Sequence, residues 1–158
     1  RRQRQMCIRD RVKYTEYTYL NTDAVGGQEV AEVLGEDANK VFKTLVTVGK
    51  TGNHYVFLVP VNKELSLKKA AKAVGEKKVE MIKSKELLPL TGYIHGGCSP
   101  IGMKKQFSTY IDSSCLFHEQ ISISAGQRGQ QILLSARALI DFIHATTADI
   151  TRTASSYL

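Results

Sequence analysis

The chain lacks the features that would assign it at once to a membrane, secreted or disulfide-rich class. No apolar run among its 158 residues is long enough to cross a bilayer, and no hydrophobic segment follows the basic start. Its three cysteines, Cys7, Cys98 and Cys115, are far apart and form no CxxC pair. This usage is typical of a reducing cytosol, predicts a cytoplasmic protein and argues against a disulfide framework or a structural zinc site.

The common catalytic and metal-binding motifs are also missing. The four histidines show neither HxH nor HExxH spacing, so no metal site is predicted. There is no GxSxG, no Walker A motif, no GxGxxG and no evident pair of carboxylates. Cys98 follows His95 by three residues in a glycine-rich loop, which leaves a thiol nucleophile open, although a small loop cysteine is more often inert.

Positive charge is present in excess and is unevenly distributed. The net charge is +7, of which residues 1–11, "RRQRQMCIRDR", supply +4 through five arginines and one aspartate. This stretch has no apolar period and resembles a translated sequencing adapter. We therefore expect residues 1–11 to be non-native and residues 12–158 to form one domain.

The remaining excess of positive charge comes from clustered lysines. Their spacing suits either a nucleic-acid phosphate backbone or an ordinary solvated helix face. The clustered residues are Lys68, Lys69, Lys72, Lys77, Lys78, Lys104 and Lys105.

Hydrophobic periodicity predicts a single α+β domain rich in strands. Strands are predicted at 14–20, 41–48, 54–61, 78–82, 106–112, 120–125 and 131–135. Helices are predicted at 26–35, at 65–75 and after Ser135, with a short helix or turn at 84–90. The turn residues "GKTGN" at 49–53 predict a hairpin between the second and third strands.

The strand "VFKTLVTV" at 41–48 contains a lysine, Lys43, on a face that is not evidently polar. Alternation puts Lys43 on one face and Thr44 on the other, and both faces are otherwise mostly apolar. Lysine is seldom interior, so the stretch alone favours a side chain that reaches a rim or a carboxylate. The alternative is an ammonium directed into a pocket. Together with the glycine-rich residues 91–102, "TGYIHGGCSPIG", such a group could stabilise an oxyanion or a phosphate.

Four segments, in order and spacing, resemble the YbaK/EbsC family of free-standing aminoacyl-tRNA deacylases. They are "KVFKTLVTV", "LSLKKAAKAVGEKKVEM", "TGYIHGGCSPIGMKK" and "ISISAGQRGQQILL", and the likeness covers roughly residues 14–152. The resemblance implies an α+β fold with a mixed, barrel-like sheet and flanking helices. The segment "SPIGMKK" is most similar to the branch that clears cysteine from tRNA(Pro).

The resemblance implies a mechanism without a cofactor, a metal or an enzyme nucleophile. Lys43 would be the essential residue, and the backbone N–H groups of Gly96 and Gly97 would help to form the pocket. The substrate's own thiol would attack its ester. The implied substrate is Cys-tRNA(Pro), with Cys-tRNA(Cys) as a second one, and the implied partner is prolyl-tRNA synthetase. The alternatives are an Ala-tRNA(Pro) deacylase of the same family and a non-catalytic module that binds tRNA or a synthetase.

Further positions carry over from the resemblance as substrate-binding residues. They are Tyr19, Thr44, Ser124 and Gly126. Two departures from the family pattern, Gly26 and Gln131, bear on amino-acid selectivity, because pocket walls decide it. Cys98 stands where an aliphatic residue is common, so the resemblance favours a change of side-chain volume there and not a nucleophile.

Overall fold

Strands dominate the fold, as far as this computed structural model describes it, which is residues 12–18 and 37–153. The strands are β1 Tyr14–Thr18, β2 Phe42–Gly49, β3 His54–Pro60, β4 Lys63–Leu65, β5 Val79–Met81, β6 Ser108–Asp112, β7 Gln120–Ser124, β8 Gln130–Ser135, β9 Thr146–Ala148 and β10 Thr151–Thr153. The helices are α1 Leu67–Val74, α2 Ser84–Thr91 and α3 Ala136–Ile143, with a 3₁₀ turn at Ser113–Phe117.

The central sheet has five strands in the order β5-β2-β3-β6-β9. The β5, β2 and β3 pairings are antiparallel, whereas β3–β6 and β6–β9 are parallel. A three-stranded antiparallel sheet has the order β1-β8-β7, and β10 pairs with β4. These mixed sheets with flanking helices confirm the predicted α+β class.

The central sheet is covered on both faces, as its apolar strands indicated. Phe42 and Val46 of β2 enter the larger core, which also holds buried residues of β7, β8 and α3. Leu45, on the other face of β2, packs on a second core that includes Phe57 and Ala70. Helix α1 therefore covers the face of β2 that also carries Lys43.

Within the described residues, a parallel bridge joins the central sheet to the three-stranded sheet. Val41 pairs with Ser122 at the start of β2, and the Ser122 amide donates to the Lys40 carbonyl at 2.8 Å. Val41 also accepts from the Val61 amide at 2.8 Å. The beginning of β2 is thus held between β7 and the chain that leaves β3.

The helix ends follow their capping residues. Ser66 Oγ accepts from the Lys69 amide at 3.2 Å before α1, and Gly75 ends that helix with a φ of 77°. Ser135 Oγ accepts from the Ala138 amide at 3.2 Å and begins α3. These local signals were sufficient to predict both helices.

Some elements differ from the sequence prediction. The short strands β4, β9 and β10 and the 3₁₀ turn were not predicted, and the segment at 84–90 is a helix despite Pro89. The predictions at 1–11 and 26–35 lie outside the described residues. In the part of the chain that is described, no helix is long and apolar enough to span a membrane.

Candidate functional site

Lys43 is a half-buried lysine on the α1 side of β2. No hydrogen bond or ion pair holds its Nζ within the described ranges. Burial lowers the pKa of Lys43, and the nearby charge of Glu64 opposes that shift. Glu64 itself is paired with Arg152 at 2.5 Å across β4 and β10. The Lys43 ammonium is therefore partly desolvated and has no hydrogen-bond partner in the part of the chain that is described.

The bridge between β2 and β7 places Ser124 on the same side as Lys43. Partners in a bridge point their side chains to one face, and each strand returns to that face after two residues. From Val41 and Ser122 this leads to Lys43 and Ser124. The alternation agrees, because Ile123 of β7 instead enters the larger core.

The glycine-rich loop packs against the turn that follows β7. Gly97 approaches this turn so closely that an added Cβ would lie 2.9 Å from the Arg128 backbone nitrogen. The Arg128 guanidinium Nη2 donates to the His95 carbonyl at 3.3 Å. At Gly96, with a φ of 87°, an added Cβ would lie 3.1 Å from Arg128 Nε. Gly126 begins the turn, and its amide donates to Ser124 Oγ at 3.2 Å.

The structure thus brings together most of the residues named from the resemblance. Gly96, Gly97, Ser124 and Gly126 form one cluster, and Lys43 shares the face on which Ser124 lies. Their roles remain predictions. Arg128, which links the loop to the turn, was missed by the sequence interpretation. Its place between two glycines in "GQRG" was the available signal.

Thr44 is not part of this cluster. Its side chain lies on the opposite face of β2, and its Oγ1 is buried with no hydrogen-bond partner in the described part of the chain. The structure therefore separates the Thr44 hydroxyl from the Lys43 ammonium, although the two residues are adjacent in sequence. A substrate group that reached Thr44 would have to approach from the side of the larger core.

Of the two departures from the family pattern, Gly26 and Gln131, the structure describes Gln131. Gln131 is buried on β8, pairs with Ser124 in the β7–β8 ladder, and its Oε1 accepts from Ser122 Oγ at 3.0 Å. Gln131 therefore forms part of the polar face beside the site. Tyr19 and Gly26 lie outside the described residues, so their predicted roles stay predictions.

Cys98 has the properties of a core residue. It is buried in the larger core, and burial raises the pKa of its thiol to about 12. A thiol with that pKa is almost entirely protonated at neutral pH and is a poor nucleophile.

The other candidate side chains near this loop do not form a catalytic group with Cys98. His95 is exposed, and Ser99 Oγ accepts from the Ile101 amide at 3.1 Å. In residues 12–18 and 37–153, no group of three His, Cys, Asp or Glu side chains could hold a metal.

This arrangement can stabilise negative charge through the Lys43 ammonium and the Gly96 N–H group. The predicted contribution of the Gly97 N–H is wrong, because that group donates to the Ile94 carbonyl at 3.0 Å within the loop. It fits a reaction in which an ester or a phosphate is held and charge develops on oxygen. Such a site works by positioning and electrostatics and does not require a nucleophile from the protein.

Comparisons with known proteins agree with this chemistry. A model of the aminoacyl-tRNA editing domain family matches residues 22–142. The chain is 47% identical over 148 residues to "Putative Cys-tRNA(Pro)/Cys-tRNA(Cys) deacylase EbsC" of Enterococcus faecalis, covering 93% of this chain and 90% of that relative. It is 33% identical over 101 residues to "Proline--tRNA ligase" of Shouchella clausii, covering 64% of this chain and 18% of the ligase.

A solved structure gives the same picture of the fold. It is described as a "putative trans-editing enzyme for prolyl tRNA synthetase" and aligns with a TM-score of 0.83 at 26% identity, covering 96% of both chains. The family match and these relatives indicate an aminoacyl-tRNA deacylase. The chain belongs to the aminoacyl-tRNA editing domain family.

Proposed function

We propose that this chain is a trans-editing deacylase that cleaves the ester of Cys-tRNA(Pro), with Cys-tRNA(Cys) as a second substrate. The observation that carries the proposal is Lys43, a half-buried ammonium without a bonded partner in the described residues. Burying a charge without such a partner is costly, so its retention favours a ligand that supplies negative charge. The name of the 47% identical relative supports the choice of cysteine.

The proposed reaction needs no enzyme nucleophile. The cysteine thiolate of the substrate attacks its own ester carbonyl and forms a new C–S bond. The resulting oxyanion is stabilised by the Lys43 ammonium and by the N–H group of Gly96. Collapse breaks the bond between the carbonyl carbon and the ribose oxygen. That oxygen takes up the proton lost by the thiol, so the products are free tRNA and a cyclic thioester.

The selectivity of this reaction comes from the substrate itself. Cysteine and proline are close in size, and a synthetase pocket separates such pairs poorly by binding alone. A site that relies on the substrate thiol spares Pro-tRNA(Pro), because proline has no thiol to attack the ester. The same site would leave Ala-tRNA(Pro) intact, which distinguishes it from the alanine-specific alternative.

We also propose that the chain works beside prolyl-tRNA synthetase in the cytoplasm, where aminoacyl-tRNAs are made. The support is the similarity of 64% of this chain to a segment that makes up 18% of a proline–tRNA ligase. As a separate chain, it would reach the products of such a ligase in trans.

The deciding experiment is deacylation of purified Cys-tRNA(Pro) and Ala-tRNA(Pro), with Lys43→Ala as the test variant and Lys50→Ala as the control. Lys50 is exposed and lies at the other end of β2, in the hairpin turn. We expect rapid loss of cysteine only, abolished by Lys43→Ala and unchanged in Lys50→Ala. Preferential loss of alanine would assign the chain to the alanine branch, and full activity of Lys43→Ala would refute the mechanism.

A further inference from the structure

Helix α1 and strand β5 enclose a surface groove on the same side of the central sheet as Lys43. We call it the α1–β5 groove; its volume is about 510 Å³. Its apolar floor includes Leu67, Ala71 and Val79, and its lysines are Lys68, Lys72, Lys77 and Lys78. Leu67 is 41% exposed, so part of this floor is open to solvent.

Three of the lysines around the α1–β5 groove carry unpaired charge. Lys78 is paired with Glu80 at 2.7 Å, and the pair raises the pKa of Lys78. By contrast, Lys68, Lys72 and Lys77 have no ion pair or side-chain hydrogen bond in the described residues. These three supply the available positive charge of the groove.

Two carboxylates also line the groove. Glu80 is the partner of Lys78, and Glu76 remains an anion, so four lysines and two glutamates leave the lining with a net charge of +2. Glu76 accepts from Thr51 Oγ1 at 2.5 Å and from Tyr55 Oη at 2.8 Å, and these bonds lower its pKa. Asp149 is paired with Lys69 at 3.2 Å. The Lys68 and Lys72 side chains lie one helical turn apart on α1 and repel each other. A polyanion in the groove would relieve this repulsion.

We infer that the α1–β5 groove binds the sugar–phosphate backbone of RNA, an inference that rests on the proposed function. Phosphates match the unpaired lysines, and the apolar faces of ribose match the floor between them. Helix α1 packs over the face of β2 that carries Lys43, because Leu45 and Ala70 share one core. The groove would hold the body of the tRNA on the side from which its aminoacyl end approaches Lys43.

The test compares two triple variants of equal charge. One is Lys68→Gln, Lys72→Gln and Lys77→Gln in the groove. The control is Lys13→Gln, Lys83→Gln and Lys85→Gln, three exposed lysines outside the groove. The probe is uncharged tRNA(Pro) transcript, and fluorescence anisotropy measures its affinity at several salt concentrations. Circular dichroism confirms that both variants are folded.

The groove variant should bind at least about tenfold more weakly near 0.1 M salt, because several phosphate contacts are lost. The slope of log affinity against log salt should fall by about 2 to 3, since each contact contributes nearly one unit. The control variant should change neither quantity by as much. Equal losses of tRNA affinity in both variants would mean that binding depends only on the net charge of the protein, and this would overturn the inference.

Deacylation separates this inference from the proposed function. At saturating enzyme the groove variant should still cleave Cys-tRNA(Pro) at the wild-type rate, because Lys43 is untouched. Unchanged tRNA binding with intact cleavage would refute the groove and leave the function standing. Specific tRNA binding by a wild-type chain that cleaves nothing, lost in the groove variant, would refute the proposed function and support the inference that the groove binds RNA. Lost binding of prolyl-tRNA synthetase with unchanged RNA binding would assign the groove to a protein partner and overturn the inference.

Discussion

Two regions of the molecule present lysine ammonium groups in different environments. Lys43 is half-buried on β2, whereas Lys68, Lys72 and Lys77 are exposed along the α1–β5 groove. Burial lowers the pKa of Lys43, so its charge is costly and its interactions are strong. The exposed lysines keep their hydration and act mainly through their sum.

The difference teaches how one side-chain type can serve two steps of one reaction. A desolvated ammonium in a fixed position can stabilise charge that appears only in a transition state. Hydrated ammonium groups on a surface bind a phosphate backbone with affinity that depends on salt. Substitution at Lys43 should therefore change the rate of cleavage, and substitution in the groove should change binding.

The largest expected effect is that of Lys43→Met, which removes the charge and keeps most of the stem. Single-turnover cleavage of Cys-tRNA(Pro) should fall by about 10²–10³-fold, the usual cost of losing one group that stabilises an oxyanion. The melting temperature should not fall, because an unpaired half-buried charge is removed. Lys68→Met is the matched groove variant: it should weaken tRNA binding and keep the single-turnover rate at saturating enzyme. Cleavage within tenfold of wild type in Lys43→Met would show that Lys43 does not stabilise the transition state and does not differ in role from the groove lysines.

The second effect tests whether the glycine loop must stay close to the turn. An alanine at Gly97 would place its Cβ 2.9 Å from the Arg128 backbone nitrogen, so the loop must move. We expect cleavage to fall about tenfold to a hundredfold, because the neighbouring Gly96 N–H group is misplaced. Stability should drop by about 1–3 kcal/mol, the usual cost of overpacking.

The control for this loop variant is Gly49→Ala at the far end of β2. There an added Cβ would meet the Glu76 carboxylate, which is the far end of a flexible side chain. This variant should lose the Thr51 and Tyr55 contacts of Glu76 and keep its cleavage rate. Equal kinetic losses in both variants would show that the loop contact has no special role in catalysis.

Local signals explain how much of the fold was predictable. The β2–β3 hairpin and helices α1 and α3 follow from alternation, turn residues and the capping groups of Ser66, Gly75 and Ser135. The strands β4 and β10 have three residues each and pair across more than eighty positions. Their sequence carries no periodic signal, and only tertiary pairing defines them.

The site was predictable in part, and for different reasons. Its glycines and Lys43 came from resemblance, whereas the contact between Gly97 and the Arg128 turn exists only in the folded chain. Arg128 was therefore overlooked. Strand alternation alone separates Thr44 from Lys43, and it was a better guide to geometry than adjacency in the motif.

A third effect follows from the lowered pKa of Lys43. Cleavage should decline as pH rises through this pKa, which lies below the ordinary lysine value of 10.5, because the ammonium is lost. The stability contribution has the opposite sign. Below both pKa values the folded state carries the full cost of burying the charge, and this cost is relieved as pH rises from the folded pKa toward the unfolded one.

Two measurements check this pH dependence. A pH–rate profile, corrected for ester hydrolysis with Lys43→Met, should show an alkaline decline that begins below the ordinary lysine range. Thermal unfolding should show that any stability advantage of Lys43→Met shrinks as pH rises. A decline centred at or above the ordinary lysine pKa would mean that Lys43 is as hydrated as the groove lysines.

The smallest effect concerns Cys98, the remaining candidate nucleophile. Its thiol is buried and its pKa is raised to about 12, so it cannot act as a thiolate near neutral pH. Cys98→Ala should keep cleavage within about twofold, because no group that stabilises the oxyanion is removed. It should cost about 1 kcal/mol through the small cavity it leaves. Mass spectrometry after iodoacetamide treatment should find Cys98 unmodified until the protein unfolds. Loss of all cleavage in a folded Cys98→Ala variant would instead indicate that the Cys98 thiol is the nucleophile and that Lys43 only assists it.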